Sequence, residues 1–303
     1  EIIKSMHVFD LLISGGGSLL QDVTSMRSLL YYLSILALGV ILKKKVMLFG
    51  QGIGPIHSRF LRKLTKLICS HADLITVRDQ DSLYELRRLG VPTQKVQLTA
   101  DSVLTLPQEG KDLGKGLLNA FHVPENKMLI AISVRKWQED DSYLLELAKA
   151  ADLLAEEYNA HIVLLPLQYP VDVEACRRLQ HFMRQTAAST VLETACDTEQ
   201  FLSLMGNFDL LIGMRLHALI FAAVMELPFV AVSYDPKIDG FVKDINGINA
   251  GKVEELQAAQ VVAAVHKALA PETSAHGMLD KLRAKALLNA QEAFELLSRG
   301  DVR

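Results

Sequence analysis

Short apolar runs, each followed by a helical pattern, recur along this chain. That alternation restricts the fold more than any other feature. Val8–Ser14, Val46–Gly50, Leu74–Arg78 and Val96–Ala100 are brief, nearly continuous and bounded by turn residues. Such runs are strands buried on both faces, which occur in parallel sheets covered by helices. Helical periodicity fills the intervals at Ser25–Leu42, Ser58–Ser70 and Gln80–Leu89, and Gly90 with Pro92 stops the third helix. A second series supplies strands at Met128–Val134, His161–Leu167, Thr190–Glu193, Phe208–Met214 and Pro228–Tyr234. Two long helical patterns, Val253–Ala270 and Met278–Ser298, follow. Between the series, Pro107 to Lys127 carries Gly110, Gly114, Gly116 and Pro124 among charges, which reads as a linker with one short helix. The chain is therefore expected to be α/β, with two doubly wound Rossmann-like domains facing a cleft. They span 1–107 and 128–303, joined by a linker at 108–127. The first series offers only four strands and the chain opens at Glu1 without Met, which predicts a further βα unit upstream.

Composition removes several classes of function. The chain has 32 Lys and Arg against 35 Asp and Glu, a net charge of −3, so it lacks the basic footprint of a nucleic-acid binder. Cys69, Cys176 and Cys196 have no zinc-ribbon or redox-pair spacing, and their odd number predicts a reducing compartment. The His residues show no zinc pattern, so no metal is expected. The longest nearly apolar stretch, Leu29 to Leu42, is shorter than the ~20 residues a bilayer requires. Gly15 to Leu20 lacks the last glycine of the dinucleotide fingerprint, Gly50 to Gly54 has the wrong spacing, and Gly110 to Gly116 lacks the phosphate-loop pattern. No NAD or ATP cofactor is expected.

In doubly wound sheets ligands bind beyond the carboxyl ends of the strands, and that is where the candidate residues lie. Gly15-Gly16-Gly17-Ser18 closes the first strand. It makes either a tight turn or a close backbone approach whose N–H groups cradle an anion. Asp22 either caps a helix or accepts hydrogen bonds from sugar hydroxyls. Gly50-Gln51-Gly52-Ile53-Gly54-Pro55 closes the second strand with the same two readings. Arg78 closes the third strand and either enters the cleft or pairs with Asp79 or Asp81. Asp79-Gln80-Asp81 stands where acidic residues complement the start of a helix. Arg135 opens the second series with a planar fork that matches carboxylate or phosphate. Trp137, the single tryptophan, stacks on a sugar or packs the domain interface. Gly213-Met214-Arg215-Leu216-His217-Ala218 is the sharpest element. A strand ends in Gly, then Arg and His follow at i, i+2, in the first turn of a helix whose free N–H groups favour anions. Lys237, in Ser233-Tyr234-Asp235-Pro236-Lys237, offers a point charge to a phosphate or is simply a surface lysine. Arg59, Arg62, Lys63 and Lys66 share one helix face, with Phe60, Leu64, Leu67 and Ile68 on the other. Such a helix has a solvated outer face or touches an anionic membrane.

The series Asp10 to Asp22, Gly50 to Pro55, Val77-Arg78-Asp79 with Ser82, Ala100-Asp101, Gly213 to Ala218, and Tyr234-Asp235 with Lys237 resembles the polysaccharide pyruvyl transferase family. It is most similar to the bacterial cell-surface-anchoring pyruvyltransferases, and the match runs from about Phe9 to Lys237. The resemblance implies a GT-B-like fold and transfer of pyruvate from phosphoenolpyruvate to a sugar as a ketal, with no cofactor. It implies that Arg135 and Arg215 hold the carboxylate and the phosphate, with His217 as general acid–base. Arg78 and Lys237 then steady the departing phosphate or the acceptor's diphosphate. Gly15, Gly16, Gly17, Ser18, Asp22, Gln51, Leu216 and Asp235 would line the substrates. The implied acceptor is a lipid-diphosphate-linked saccharide ending in N-acetylmannosamine, ketalised at O4 and O6 for a secondary cell-wall polymer that anchors a surface layer. The implied location is cytoplasmic, with the basic helix suited to the inner membrane face. Family members open with a strand and a glycine-rich loop ending near Gly-Asp-Glu, which is not found here, so part of the acceptor side is expected to lie outside this sequence. Two readings compete: a GT-B glycosyltransferase using a nucleotide sugar, and a saccharide-binding protein without turnover.

Overall fold

Every strand pairing between named strands in the computed structural model is parallel, as the continuous apolar runs require. The structure describes residues 6, 8–23, 25–270 and 276–298. They form two units: residues up to Thr105 together with those from Lys281 onward, and Leu106–Asp280.

In the first unit, β1 (Leu11–Gly15), β2 (Lys45–Gln51), β3 (Leu74–Val77) and β4 (Val96–Leu98) lie in that order across one sheet. The crossovers are α1 (Met26–Ile41), α2 (Arg59–His71) and α3 (Gln80–Leu89). Their starts are set by local chemistry. Ser25, Ser58 and Asp79 accept from backbone N–H groups of the first turns, and left-handed Gly90 ends α3 at φ 79°. Leu29, Leu33 and Leu36 of α1 bury against Leu48 and Ile75 of the sheet. Gly39 allows α1 to approach this closely, since a Cβ there would lie 2.7 Å from Leu12 Cδ2. Met47 faces the other way and packs with Ala293 and Leu296 of the chain's last helix.

The second unit holds β5 (Met128–Ser133), β6 (Ala160–Leu164), β7 (Ser189–Val191), β8 (Leu210–Gly213), β9 (Phe229–Ser233) and β10 (Ile248–Lys252). Their order is β10-β9-β8-β5-β6-β7, so the winding reverses between β5 and β8. That is the Rossmann order. Its helices are α4 (Asp112–Ala120), α5 (Ser142–Glu157), α6 (Val173–Phe182), α7 (Thr198–Met205), α8 (Leu216–Val224), α9 (Pro236–Asp244) and α10 (Ala258–Ala268), and α11 (His276–Ser298) begins in it. Every residue of α8 from Ala218 to Val224 is buried, which is why that helix is apolar all round. Among the described residues, no helix is long and apolar enough to cross a membrane.

The structure differs from the sequence reading in three places. The segment 108–127 belongs to the second unit and carries α4, where Gly114 N–H donates to Ser203 Oγ of α7 at 2.8 Å. Gly114 sits there because a Cβ would meet the Ser203 backbone at 2.5 Å, so a close helix crossing explains a glycine that resembles a linker residue. The second boundary also moves, because α11 leaves the second unit and from Lys281 belongs to the first. Finally, β10 has a polar, glycine-containing sequence, Ile-Asn-Ala-Gly-Lys, that carries no strand signal.

Candidate active site

The strand-order reversal in the second unit is where a ligand of such a sheet binds, and two arginines leave it side by side. Ser133 and Gly213 are partners in the β5–β8 ladder, and Met214 N–H donates to Ser133 O at 2.9 Å. Two residues beyond each of those partners, past the strand ends, stand Arg135 and Arg215.

Arg215 is the N-cap residue of α8, with extended φ and ψ and no side-chain capping bond. A guanidinium has only donors to offer, so its own side chain cannot satisfy the first-turn N–H groups of Leu216, His217 and Ala218. The positive end of the helix and the guanidinium therefore coincide, which favours an anion. Asp172, whose side chain is 0% exposed, orients that guanidinium. One carboxylate oxygen accepts from Arg215 Nε at 3.1 Å and from Gln168 N–H at 2.8 Å, and the other pairs with Nη2. Gln168 Oε1 accepts from Nη2 at 3.1 Å. His217 lies in the same first turn, its ring centroid 6.5 Å from that of Phe221.

Arg135 is held by aromatics. Its Nη1 donates to the Tyr234 hydroxyl at 2.8 Å, and its guanidinium carbon stands 4.9 Å from the Tyr234 ring centroid. Trp137 packs on Tyr234 with centroids 4.9 Å apart, a contact within the second unit. Burial pushes the Tyr143 hydroxyl up to about 12. It stays protonated, donates to the Arg135 carbonyl at 2.6 Å and accepts from Trp137 N–H at 3.2 Å. Asp235 caps α9, accepting from Lys237 N–H at 2.9 Å behind Pro236 at N1. That cap places Lys237 in the first turn of α9.

In the first unit, the carboxyl ends of β1, β2 and β3 meet in a second polar cluster. Arg78, with a side chain only 6% exposed, donates from Nη1 to Asp101 at 2.6 Å and from Nη2 to Ser18 Oγ at 3.1 Å. Its Nε faces Asp79 at 3.5 Å. Of the readings for Arg78, pairing with Asp79 is thus joined by a stronger contact to Asp101. Gly52 permits this arrangement, because a Cβ there would lie 2.5 Å from Ser18 Oγ and 3.3 Å from the Arg78 guanidinium. Gly16 and Gly17, beside Gly15, turn with φ of 61° and 68°, and Gly52 N–H donates to Gly17 O at 2.8 Å. Gln51 is fully buried, and neither end of its amide has a partner among the described residues. Asp22 caps rather than projecting freely: it accepts from the backbone N–H groups of His57 (2.8 Å) and Ser58 (2.9 Å), just before α2. Burial alone would raise its carboxyl, but these hydrogen bonds from Ser58 and His57 outweigh it and hold the group below its ordinary value. Asp79 likewise caps α3 through Ser82 N–H at 2.8 Å.

Sequence reasoning missed Asp172, Gln168 and Tyr143. Asp172 precedes α6, where a helix-capping Asp would stand, but it makes no capping bond. Its partner is 43 residues away, and no local pattern announces that pairing.

Residues 2–236 match the polysaccharide pyruvyl transferase family. Over 284 residues the chain is 24% identical to the amylovoran biosynthesis protein AmsJ of Erwinia amylovora, a match covering 89% of this chain and 68% of AmsJ. The fold is similar to that of UDP-GlcNAc 2-epimerase from Methanocaldococcus jannaschii, with TM-score 0.67 and 12% identity over 97% of this chain and 80% of that one. It is also similar to Anabaena Alr3699/HepE, solved with UDP and glucose, with TM-score 0.63 and 12% identity over 98% and 80%. These likenesses show a GT-B-like fold with two Rossmann-like units and nothing about substrate. The family match runs from the glycine turns of the first unit through both strand ends that carry Arg135 and Arg215. This chain belongs to the polysaccharide pyruvyl transferase family, and is a transferase of polysaccharide biosynthesis.

Proposed function

We propose that the chain transfers the pyruvyl group of phosphoenolpyruvate onto two hydroxyls of one sugar, forming a cyclic ketal. The observation that carries this reading is that Arg135 and Arg215 each follow by two residues the partnered ends of adjacent strands, at a helix start where the N-cap Arg215 side chain makes no capping bond. Phosphoenolpyruvate carries a carboxylate and a phosphate on one enol carbon, so two cationic forks and a helix N-terminus match it. His217 gives a proton to the methylene carbon. The adjacent carbon gains oxocarbenium character, one sugar hydroxyl attacks it, and the carbon–oxygen bond to phosphate breaks. The second hydroxyl then closes the ring. Of the two hydroxyl protons released, one offsets the proton taken up by the methylene and the other leaves with phosphate. Arg78 and Lys237 steady the departing phosphate or the acceptor's diphosphate. Ser18, Gln51 and the glycine turns contact the acceptor. No step requires a resident cofactor.

The acceptor is a lipid-diphosphate-linked saccharide ending in N-acetylmannosamine, modified at O4 and O6 on the cytoplasmic side of the membrane, for a secondary cell-wall polymer that anchors a surface layer. The test mixes the protein with phosphoenolpyruvate and a soluble diphosphate-linked N-acetylmannosaminyl disaccharide. Acceptor-dependent phosphate and a product heavier by one pyruvyl ketal are expected. Phosphoenolpyruvate binding without turnover overturns the acceptor assignment alone. Absence of that binding, with thermal stabilisation by a nucleoside diphosphate, overturns the donor and favours a nucleotide-sugar transferase.

A further inference from the structure

Helix α2 turns outward a face that its core does not use. The sequence pattern assigns Phe60 and Leu67 to the inner side, yet the buried stripe is Leu61, Thr65, Ile68 and Cys69. Phe60 is 67% exposed and Leu67 58% exposed. At about 100° per residue, Arg59, Lys63 and Lys66 fall on one half of the exposed arc, with Phe60 and Leu67 on the other. All three cations are exposed, and the helix contains no acidic residue. Arg62 is drawn away from this face, donating to Glu85 at 2.7 Å and to Ile56 O at 3.0 Å. The surplus of positive charge is local, since the whole chain carries −3.

We propose that the outer face of α2 docks on an anionic bilayer surface. Cations reach lipid phosphates while the two apolar side chains enter the boundary between headgroups and acyl chains. Nucleic acid would use the cations but gain nothing from Leu67. The placement is informative. Asp22 ties the start of α2 to the loop after β1, so Phe60 lies in the first turn at the carboxyl edge of the sheet. That is the edge where Ser18, Arg78 and Asp101 meet. A bilayer against α2 presents headgroup-linked saccharides to that edge. This purpose rests on the proposed lipid-linked acceptor, whereas the docking itself needs no donor and no turnover.

The test is co-sedimentation of the full chain with two kinds of vesicle, phosphatidylcholine alone and an equal mixture with phosphatidylglycerol. Binding to the mixed vesicles only, weakened by salt, is expected. Lys63→Gln with Lys66→Gln lowers the partition coefficient about thirtyfold, from ~1 kcal/mol per basic residue near the surface. Phe60→Ser lowers it about tenfold. All three substitutions leave circular dichroism and phosphate release on the soluble acceptor unchanged. Failure to bind mixed vesicles, equal binding to neutral ones, or variants that bind like the parent overturn the inference. A dimer in light scattering that Phe60→Ser dissociates gives the face to a second copy and also overturns it. Vesicle binding without pyruvyl transfer upholds the docking and overturns the activity, while transfer without vesicle binding does the reverse.

Discussion

Replacing Asp172 by asparagine tests whether a buried carboxylate aims Arg215. The substitution keeps the shape but removes the charge and turns one acceptor into a donor that faces another donor. Three hydrogen bonds converge on this carboxylate, two from Arg215 and one from Gln168 N–H, and the side chain is wholly buried. Removing one partner of a buried ion pair costs about 3–5 kcal/mol, mostly by stranding the other. The substituted amide would retain one acceptor, so the low end of that range, about 3 kcal/mol, is expected. The stranded partner, Arg215, sets the control: in an Arg215→Ala background the same change at Asp172 strands nothing. The double-mutant cycle, measured by urea denaturation, is therefore expected to give a coupling energy of about 2–3 kcal/mol. The functional arm reads phosphoenolpyruvate. With the guanidinium no longer held, KM for the donor rises at least about tenfold while KM for the acceptor stays constant. Additivity within about 0.5 kcal/mol, or equal changes in both KM values, refutes the reasoning.

Three further outcomes follow from the geometry. His217→Gln lowers kcat by about 10²–10⁴-fold with donor affinity retained, as loss of a proton donor requires, and calorimetry with pre-steady-state phosphate release checks it. Gly52→Ala forces a methyl to within 2.5 Å of Ser18 Oγ and into the Arg78 guanidinium. A stability loss of about 1–3 kcal/mol and a raised KM for the acceptor are expected in denaturation and kinetic assays. The folded-state carboxyl of Asp22 lies below its unfolded value, so its contribution to stability is complete above the unfolded value, near 3.8, and fades as the pH falls through the lower folded one. Asp22→Asn therefore destabilises at neutral pH and flattens the acid limb of a stability–pH curve, which chemical denaturation from neutral pH down to the acid limb measures.

Much of this protein is written in short-range pattern. Buried parallel strands need apolar side chains on both faces, so runs such as Met128–Val134 announce themselves. Arginines at strand ends interrupt that pattern, which made Arg78, Arg135 and Arg215 visible. Asp172 escaped because its partner lies 43 residues away and its own position imitates a helix cap. The β10 strand escaped because Ile248 to Lys252 sits at a sheet edge, where burial asks little of the side chains. Gly110, Gly114 and Gly116 suggested a linker, yet Gly114 serves a helix crossing that only the tertiary structure reveals. Phe60 and Leu67 were assigned inward by their hydrophobicity alone. The inward positions went instead to Leu61, Thr65 and Ile68, spaced i, i+4, i+7.

The return of α11 to the first unit also bears on how the chain is made. Met47 is covered by Ala293 and Leu296, and Asn289 accepts from Thr99 Oγ1 at 2.8 Å and donates to Ala100 O at 3.0 Å. During synthesis the Met47 face of β2 emerges early, but its cover by Ala293 and Leu296 arrives only after the whole second unit has been translated. The nascent unit must wait, half-clothed, through the whole translation of the second. A stop codon placed just after the second unit would therefore leave Met47 without Ala293 and Leu296, and Thr99 and Ala100 without Asn289.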